Sequence, residues 1–234
     1  MTSRPGAATD MRASNVIQLR QLLSERFPHL RTTPPPRREI ETVPTGAPAL
    51  DALLHGGLPR GALSELIGAG PGSGSAQVLH GFLQRVADDG KFLALVDGAD
   101  SFDVDAVEPA ILARLLWVRC TDAGQALKAA DLLLRDRNFP LVVVDLKFNP
   151  PAQLRKISSS VWHRFRRLLE ANGAAALVIT PHQLVSNPAC RVRVEGKLAI
   201  TALAQSPSQV LSELHFDLLR AAEVDEEATA AAAS

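Results

Sequence analysis

The sequence predicts an α/β domain with a mainly parallel central sheet flanked by helices. Three observations predict it. Continuous apolar runs recur along the chain, segments with apolar residues every three or four positions lie between them, and one strand-like run enters a helix through a turn with four glycines. An uninterrupted apolar run suits a strand covered on both faces. Strands that alternate with helices build a parallel sheet through right-handed crossovers.

The strand-like runs are "ALSELI" at 62–67, "FLALVD" at 92–97, "LLWV" at 115–118, "LVVVD" at 141–145 and "AAALVIT" at 174–180. After the first, Leu79, Phe82, Leu83 and Val86 form one stripe of a helix over 75–88. Ala126, Leu127, Ala130 and Leu134 do the same over 122–135. A third helix is expected over 151–171, with Leu154, Ile157, Val161, Phe165 and Leu168 on one face. Lys156, His163, Arg166 and Arg167 then lie opposite, with Arg155 at the edge. Past residue 180 the pattern changes: "CRVRVEGKLAITALA" (190–204) and "ELHFDLL" (213–219) read as strands that finish the sheet in antiparallel orientation.

The core is expected over 44–220, with a flank on each side. In "SNVIQLRQLLSERF" (14–27), Val16, Leu19, Leu23 and Phe27 recur at helical spacing, and Ser14 can cap the helix. Pro34, Pro35 and Pro36 cannot continue a helix. Residues 28–43 therefore read as a linker and the helix as an appendage. Its apolar stripe either packs back on the core or serves as a docking element. The tail "AAEVDEEATAAAAS" (221–234) has no apolar period beyond alanine and reads as an acidic disordered segment.

Composition narrows the function classes. A chain of 234 residues with 46% hydrophobic content fits one sizeable domain plus tails. No apolar run reaches the ~18 residues that span a membrane. The start, "MTSRPGAATDMRASN", lacks the apolar region of a secretory signal, so a cytoplasmic location is expected. Two cysteines make neither a disulfide framework nor a zinc site and read as reduced thiols. No histidine pairs with cysteine or carboxylate at metal-ligand spacing, so no metal is expected. Net charge is zero but uneven: residues 1–40 hold seven arginines against three acids, and 221–234 hold four acids and no base. Eight Phe, two Trp and no Tyr, mostly in apolar stretches, leave no platform for stacking bases.

The turn "GAGPGSGSA" carries the chemistry. A P-loop reads Gly-x-x-x-x-Gly-Lys-Ser/Thr; its backbone N–H groups cradle phosphate at a helix N-terminus while its lysine charges the β/γ-phosphates. Counted from Gly68, with Gly70 and Gly72 between, the second glycine position holds Ser73, the lysine position holds Gly74, and only Ser75 fits. No lysine or arginine lies between Arg60 and Arg85 to substitute in place. Two readings fit: a Gly/Ser turn with no ligand, or a weak residual site for ATP, ADP or another anion.

Several segments resemble the RecA-like recombinase fold. In "TGAPALDALLHGGLPRGALSELIGAG", Thr45, Gly46, Leu50, Asp51, Gly56, Gly57, Leu58, Pro59 and Gly61 match that family's entry segment to its P-loop. "TDAGQALKAADLLL" sits where the family has a similar helix. "FPLVVVDLK" is similar to the Walker B strand, ending in Asp145, and "ALVITPHQL" to the strand that carries a sensor glutamine, here Gln183. The resemblance covers about 44–204 and implies a RecA-like P-loop-type core with a truncated carboxy-terminal region and an amino-terminal helical appendage. Within that superfamily the chain resembles the ImuA family, RecA-like accessory proteins of bacterial mutagenesis cassettes.

The resemblance also marks what is missing. Aligned on Asp97, the family's water-activating glutamate position holds Ala99, with Asp100 one residue off. Losing one well-placed transition-state charge typically costs ~3–4 kcal/mol, and two are gone, so a pseudo-ATPase with no catalytic residues and no cofactor is expected. Both of the family's DNA loops look short, so DNA binding is expected to be weak or absent. Membership in the ImuA family implies RecA and an ImuB-type polymerase homologue as partners in damage-induced translesion synthesis, with an error-prone polymerase reached indirectly and association with the nucleoid under damage. The basic face with Lys156, Arg166 and Arg167 is either a solvated face or a docking surface. An active RecA/KaiC-type ATPase with a variant loop and a SulA-like division inhibitor are the rival readings.

Overall fold

The protein's structure, a computed structural model, is described for Arg26, residues 41–196 and residues 207–221. Apart from Arg26, the expected helix at 14–27 lies outside the described residues, as do residues 197–204 of the expected strand at 190–204 and the acidic tail from residue 222.

Chain order is β1 (Thr42–Val43), α1 (Pro48–Leu53), β2 (Leu58–Pro59), β3 (Leu63–Gly68), α2 (Ser75–Asp88), β4 (Leu93–Asp97), α3 (Pro109–Leu112) and β5 (Leu115–Arg119). It continues with α4 (Ala123–Arg135), β6 (Leu141–Asp145), α5 (Pro151–Leu154), α6 (Ser159–Asn172), β7 (Ala175–Thr180), β8 (Arg191–Glu195), α7 (Pro207–Ser212) and β9 (His215–Arg220). β1 pairs antiparallel with β2 in a small separate ribbon, so Glu41, Thr42 and Val43 belong to the domain and not to the linker.

The main sheet has seven strands in the order β5-β4-β6-β7-β3-β8-β9. Six run parallel, and only β9 is antiparallel to its neighbour. The expected antiparallel finish is thus corrected at β8, which pairs parallel with β3. Alternation within 190–195 shows a half-covered strand, but period two is the same in either direction.

Each central strand is buried on both faces because alternate residues enter two cores. Leu93 and Leu95 of β4 join Val78, Phe82, Leu83 and Val86 of α2 on one side. Ala94 and Val96 join Ala126, Ala130 and Leu134 of α4 and Trp162, Phe165 and Leu169 of α6 on the other. Small alanines on α4 let it lie close to the sheet.

The expected helix over 151–171 is two helices. α5 ends at Leu154, and α6 starts afresh behind Ser158, whose side chain accepts from the Ser160 N–H. The new start changes the face. Trp162, Phe165 and Leu169 are buried in α6, while Ile157, Val161 and Leu168 are only partly covered. A serine N-cap inside an apolar period was the available signal.

Candidate functional site: the glycine-rich loop and its occupants

Carboxy ends of parallel strands form the crevice in which open α/β sheets bind ligands. There the structure gathers the 68–75 loop after β3, Asp97 at the end of β4, and Asp145 and Lys147 at the end of β6. β7 lies between the strand leading to the loop and the strand ending in Asp145.

The loop has the left-handed glycines that a phosphate nest uses. Gly70, Gly72 and Gly74 have φ of 81°, 72° and 90°, and Ser75 opens the 14-residue helix α2. Its inner end is already filled. Ser73, Gly74 and Ser75 are buried, and the two serine hydroxyls lie 3.4 Å apart. A Cβ on Gly74 would collide with the methyls of Leu214, which precedes β9. Gly196, just after β8, has room for no Cβ: one there would sit 2.9 Å from a Leu214 methyl and 3.3 Å from the Gly72 and Ser73 carbonyls.

A cation reaches the loop from another strand. Lys147 Nζ donates to Ser75 Oγ at 2.8 Å and lies 4.4 Å from the centre of the Phe148 ring. Ser75 is the hydroxyl that a P-loop offers to Mg²⁺; here it is bound to a lysine of the same chain. Lys147 is 72 residues away in sequence, outside any local motif. The one available signal was its position two residues after Asp145, which in extended chain returns to the same face.

Burial shifts both members of this pair against their charged forms. Asp145 is pushed up to about 6, chiefly by desolvation; the Lys147 N–H and ammonium oppose the shift and Asp97 adds to it. Desolvation likewise lowers Lys147, opposed by Asp145. The Lys147 N–H donates to Asp145 Oδ1 at 2.9 Å. A carboxyl raised above its ordinary value of about 3.9 binds its proton more tightly in the folded state, so stability is lost as pH rises from about 4 to about 6. Asp145→Asn removes that loss. The variant is expected to gain stability over the parent in urea unfolding at pH 7 relative to pH 4; an unchanged difference would place Asp145 in a hydrated setting.

Asp97 and Asp100 are both held by hydrogen bonds within the domain. Asp97 is buried and accepts from the Ala99, Ser101 and Phe102 N–H groups, which makes it the clamp of its own loop. Asp100 takes a left-handed backbone, φ 53°, and holds Arg119 through two bonds of 2.6 and 2.7 Å. Arg119 in turn stacks over Trp117 at 4.8 Å. That bidentate contact keeps the Asp100 carboxyl below the usual range and directs it to the end of β5.

The remaining expected site residues are dispersed. Gln183 is exposed in the segment after β7. Glu65 Oε1 fixes that segment by accepting from the Leu184 and Val185 N–H groups at 2.7 and 3.0 Å. Lys156 stands in the turn between α5 and α6, and Arg167 is exposed on α6. Arg166 departs from the expected exposed row: it is half-buried, with Nη2 at His163 Nδ1 and Nη1 3.4 Å from the Asn187 carbonyl. Val16, Leu19, Leu23 and Phe27 are outside the described residues. Cys120 and Cys190 are buried free thiols, raised by desolvation and so poorly nucleophilic. Among the described residues no group of three or more His, Cys, Asp or Glu could hold a metal, and no helix is long and apolar enough to cross a membrane.

Sheet, loop and Asp145 together define a P-loop-type α/β domain. Residues 30–153 match the family of the RecA N-terminal domain, and the chain belongs to that family. The chain is 36% identical to the RecA protein of Leifsonia xyli subsp. xyli over 112 residues, 47% of this chain and 31% of that one. It is 35% identical to RecA of Prochlorococcus marinus (strain MIT 9515) over 111 residues, 47% of this chain and 30% of that one. RecA of Mycobacterium tuberculosis (strain CDC 1551 / Oshkosh) is 36% identical over 112 residues, 14% of its length. The chain thus spans less than a third of the length of the curated relatives it matches.

Proposed function

We propose that this RecA-related protein is a non-catalytic adaptor of the ImuA family. It would act in damage-induced translesion synthesis by binding RecA and an ImuB-type polymerase homologue, with an error-prone polymerase recruited indirectly and DNA contacted weakly or not at all. The observation that carries this reading is the filled loop. Leu214 packs where a P-loop lysine side chain would leave position 74, and Lys147 holds the hydroxyl that would ligate Mg²⁺. Ala99 leaves no base for water, and Asp100 is committed to Arg119. A domain with the frame of a RecA core and no room for its reaction retains its surfaces as the means of action. Cytoplasmic placement with recruitment to the nucleoid under damage follows from those partners. The helix at 14–27 and the basic residues Lys156, Arg166 and Arg167 are the candidate contacts.

One observation favours a second reading. Lys147 brings to the loop the ammonium that Gly74 cannot supply, so a RecA/KaiC-type ATPase could use it in place of the loop lysine. One experiment separates the two. The full chain is titrated calorimetrically with ATP·Mg²⁺ and ADP while phosphate release is followed, and the same preparation is used to capture purified RecA. The adaptor reading expects no turnover and retention of RecA. Turnover that disappears in both Lys147→Ala and Asp145→Asn would establish the ATPase instead, and failure to retain RecA would remove the adaptor.

A further inference from the structure

A second crevice lies at the opposite end of the sheet. It has a volume of about 420 Å³ and is walled by the start of β3, the 187–189 segment before β8, Arg166 and Glu170 of α6, and Arg220 at the end of β9. That volume is within the range of ligand-binding clefts.

Its arginines are under-used. Arg166 Nε is buried and meets no acceptor. Its Nη1 contact with the Asn187 carbonyl is long, at 3.4 Å. A buried donor without an acceptor is unfavourable and is relieved by an incoming ligand oxygen. Arg220 is exposed and has no acceptor among the described residues. A carboxylate accepts two parallel N–H bonds from one guanidinium, which suits both groups.

Two features select an extended acidic peptide over a nucleic-acid backbone. Glu170 is in the wall of the crevice, so an unbroken row of phosphates meets a like charge there, whereas a peptide can set a neutral side chain at that point. Arg220 also ends β9, whose outer edge pairs with no strand among the described residues; Leu218 and Leu219 there are 37% and 38% exposed. An open edge offers main-chain bonds to an added strand, whose alternate side chains point to one face.

We infer that an acidic, extended peptide segment of a partner protein docks at this end of the sheet, pairing along β9 and placing a carboxylate between Arg166 and Arg220. The inference deepens the adaptor reading by naming the chemistry of one partner contact.

The probe is a fluorescein-labelled octapeptide of alternating valine and glutamate, whose anisotropy is followed with the full chain. A valine–glutamine peptide of the same length and a twenty-residue oligothymidylate are the comparisons. Saturable binding of the glutamate peptide is expected, at least tenfold tighter than the glutamine peptide. Arg220→Gln, on the surface, should weaken it about threefold and Arg166→Gln/Arg220→Gln at least tenfold. Arg137→Gln, an exposed change outside the crevice and the candidate contacts, should leave it unchanged, and Glu170→Gln should tighten it. Equal affinity for the two peptides, or full affinity in Arg220→Gln and in a double variant whose melting shows it folded, would overturn the inference. Displacement of the peptide by the oligothymidylate from the same arginines would reassign the crevice to nucleic acid and equally overturn it. RecA and nucleotide are absent from this assay, so it can fail while the adaptor reading stands, and the reverse.

Discussion

Replacing Glu65 with alanine is expected to lower the unfolding free energy by about 3–5 kcal/mol, the cost of breaking a buried ion pair from one side. Glu65 lies in the middle of β3 with its side chain fully buried, and Arg191 on β8 is 15% exposed. One carboxylate oxygen accepts from Arg191 Nε at 2.5 Å. The other accepts from the Thr180 hydroxyl at 3.1 Å and from the Leu184 and Val185 N–H groups. Arg191 also donates to the Val185 carbonyl. Truncation leaves a guanidinium and two backbone donors buried without their acceptor. Glu65→Leu with Arg191→Met, which removes both charges, should lose clearly less than the single change, since a buried pair is often replaceable by apolar residues. Equilibrium urea unfolding reads both. A loss of unfolding free energy under about 1 kcal/mol for Glu65→Ala would mean that water reaches the site.

Restoring the missing loop lysine is expected to fail. Gly74→Lys places a side chain on a backbone of φ 90° and ψ −3°, where an L-residue costs about 1–2 kcal/mol. It also drives a Cβ into Leu214, and overpacking a filled site costs about 1–3 kcal/mol more. The variant should lose about 2–5 kcal/mol in unfolding and show no ATP turnover. Stability equal to the parent, together with phosphate release, would show that Leu214 swings clear and that the loop is a working nest.

Both results depend on contacts of very different legibility. The β3–loop–α2 unit was readable because its signals are local: an apolar run, closely spaced glycines and a 3.6-residue period. The two-sided burial of β4, β6 and β7 was readable from continuous apolar runs for the same reason. The break between α5 and α6 was missed because Ile157, Val161, Phe165 and Leu168 keep a helical period across it, while Ser158 ends one helix and starts another. The direction of β8 was missed because side-chain alternation carries no polarity.

The composition and order of residues were enough to set the α/β class, the RecA-like succession of segments and the empty lysine position in the loop. These depend on hydrophobic period and backbone freedom, which act within a few residues. Only the folded sheet decided what fills the vacated place. Lys147 and Leu214 come 72 and 140 residues after Ser75 and Gly74, the neighbouring loop residues that they meet. Strand order brings them there, and a contact made across the sheet leaves no periodic trace along the chain.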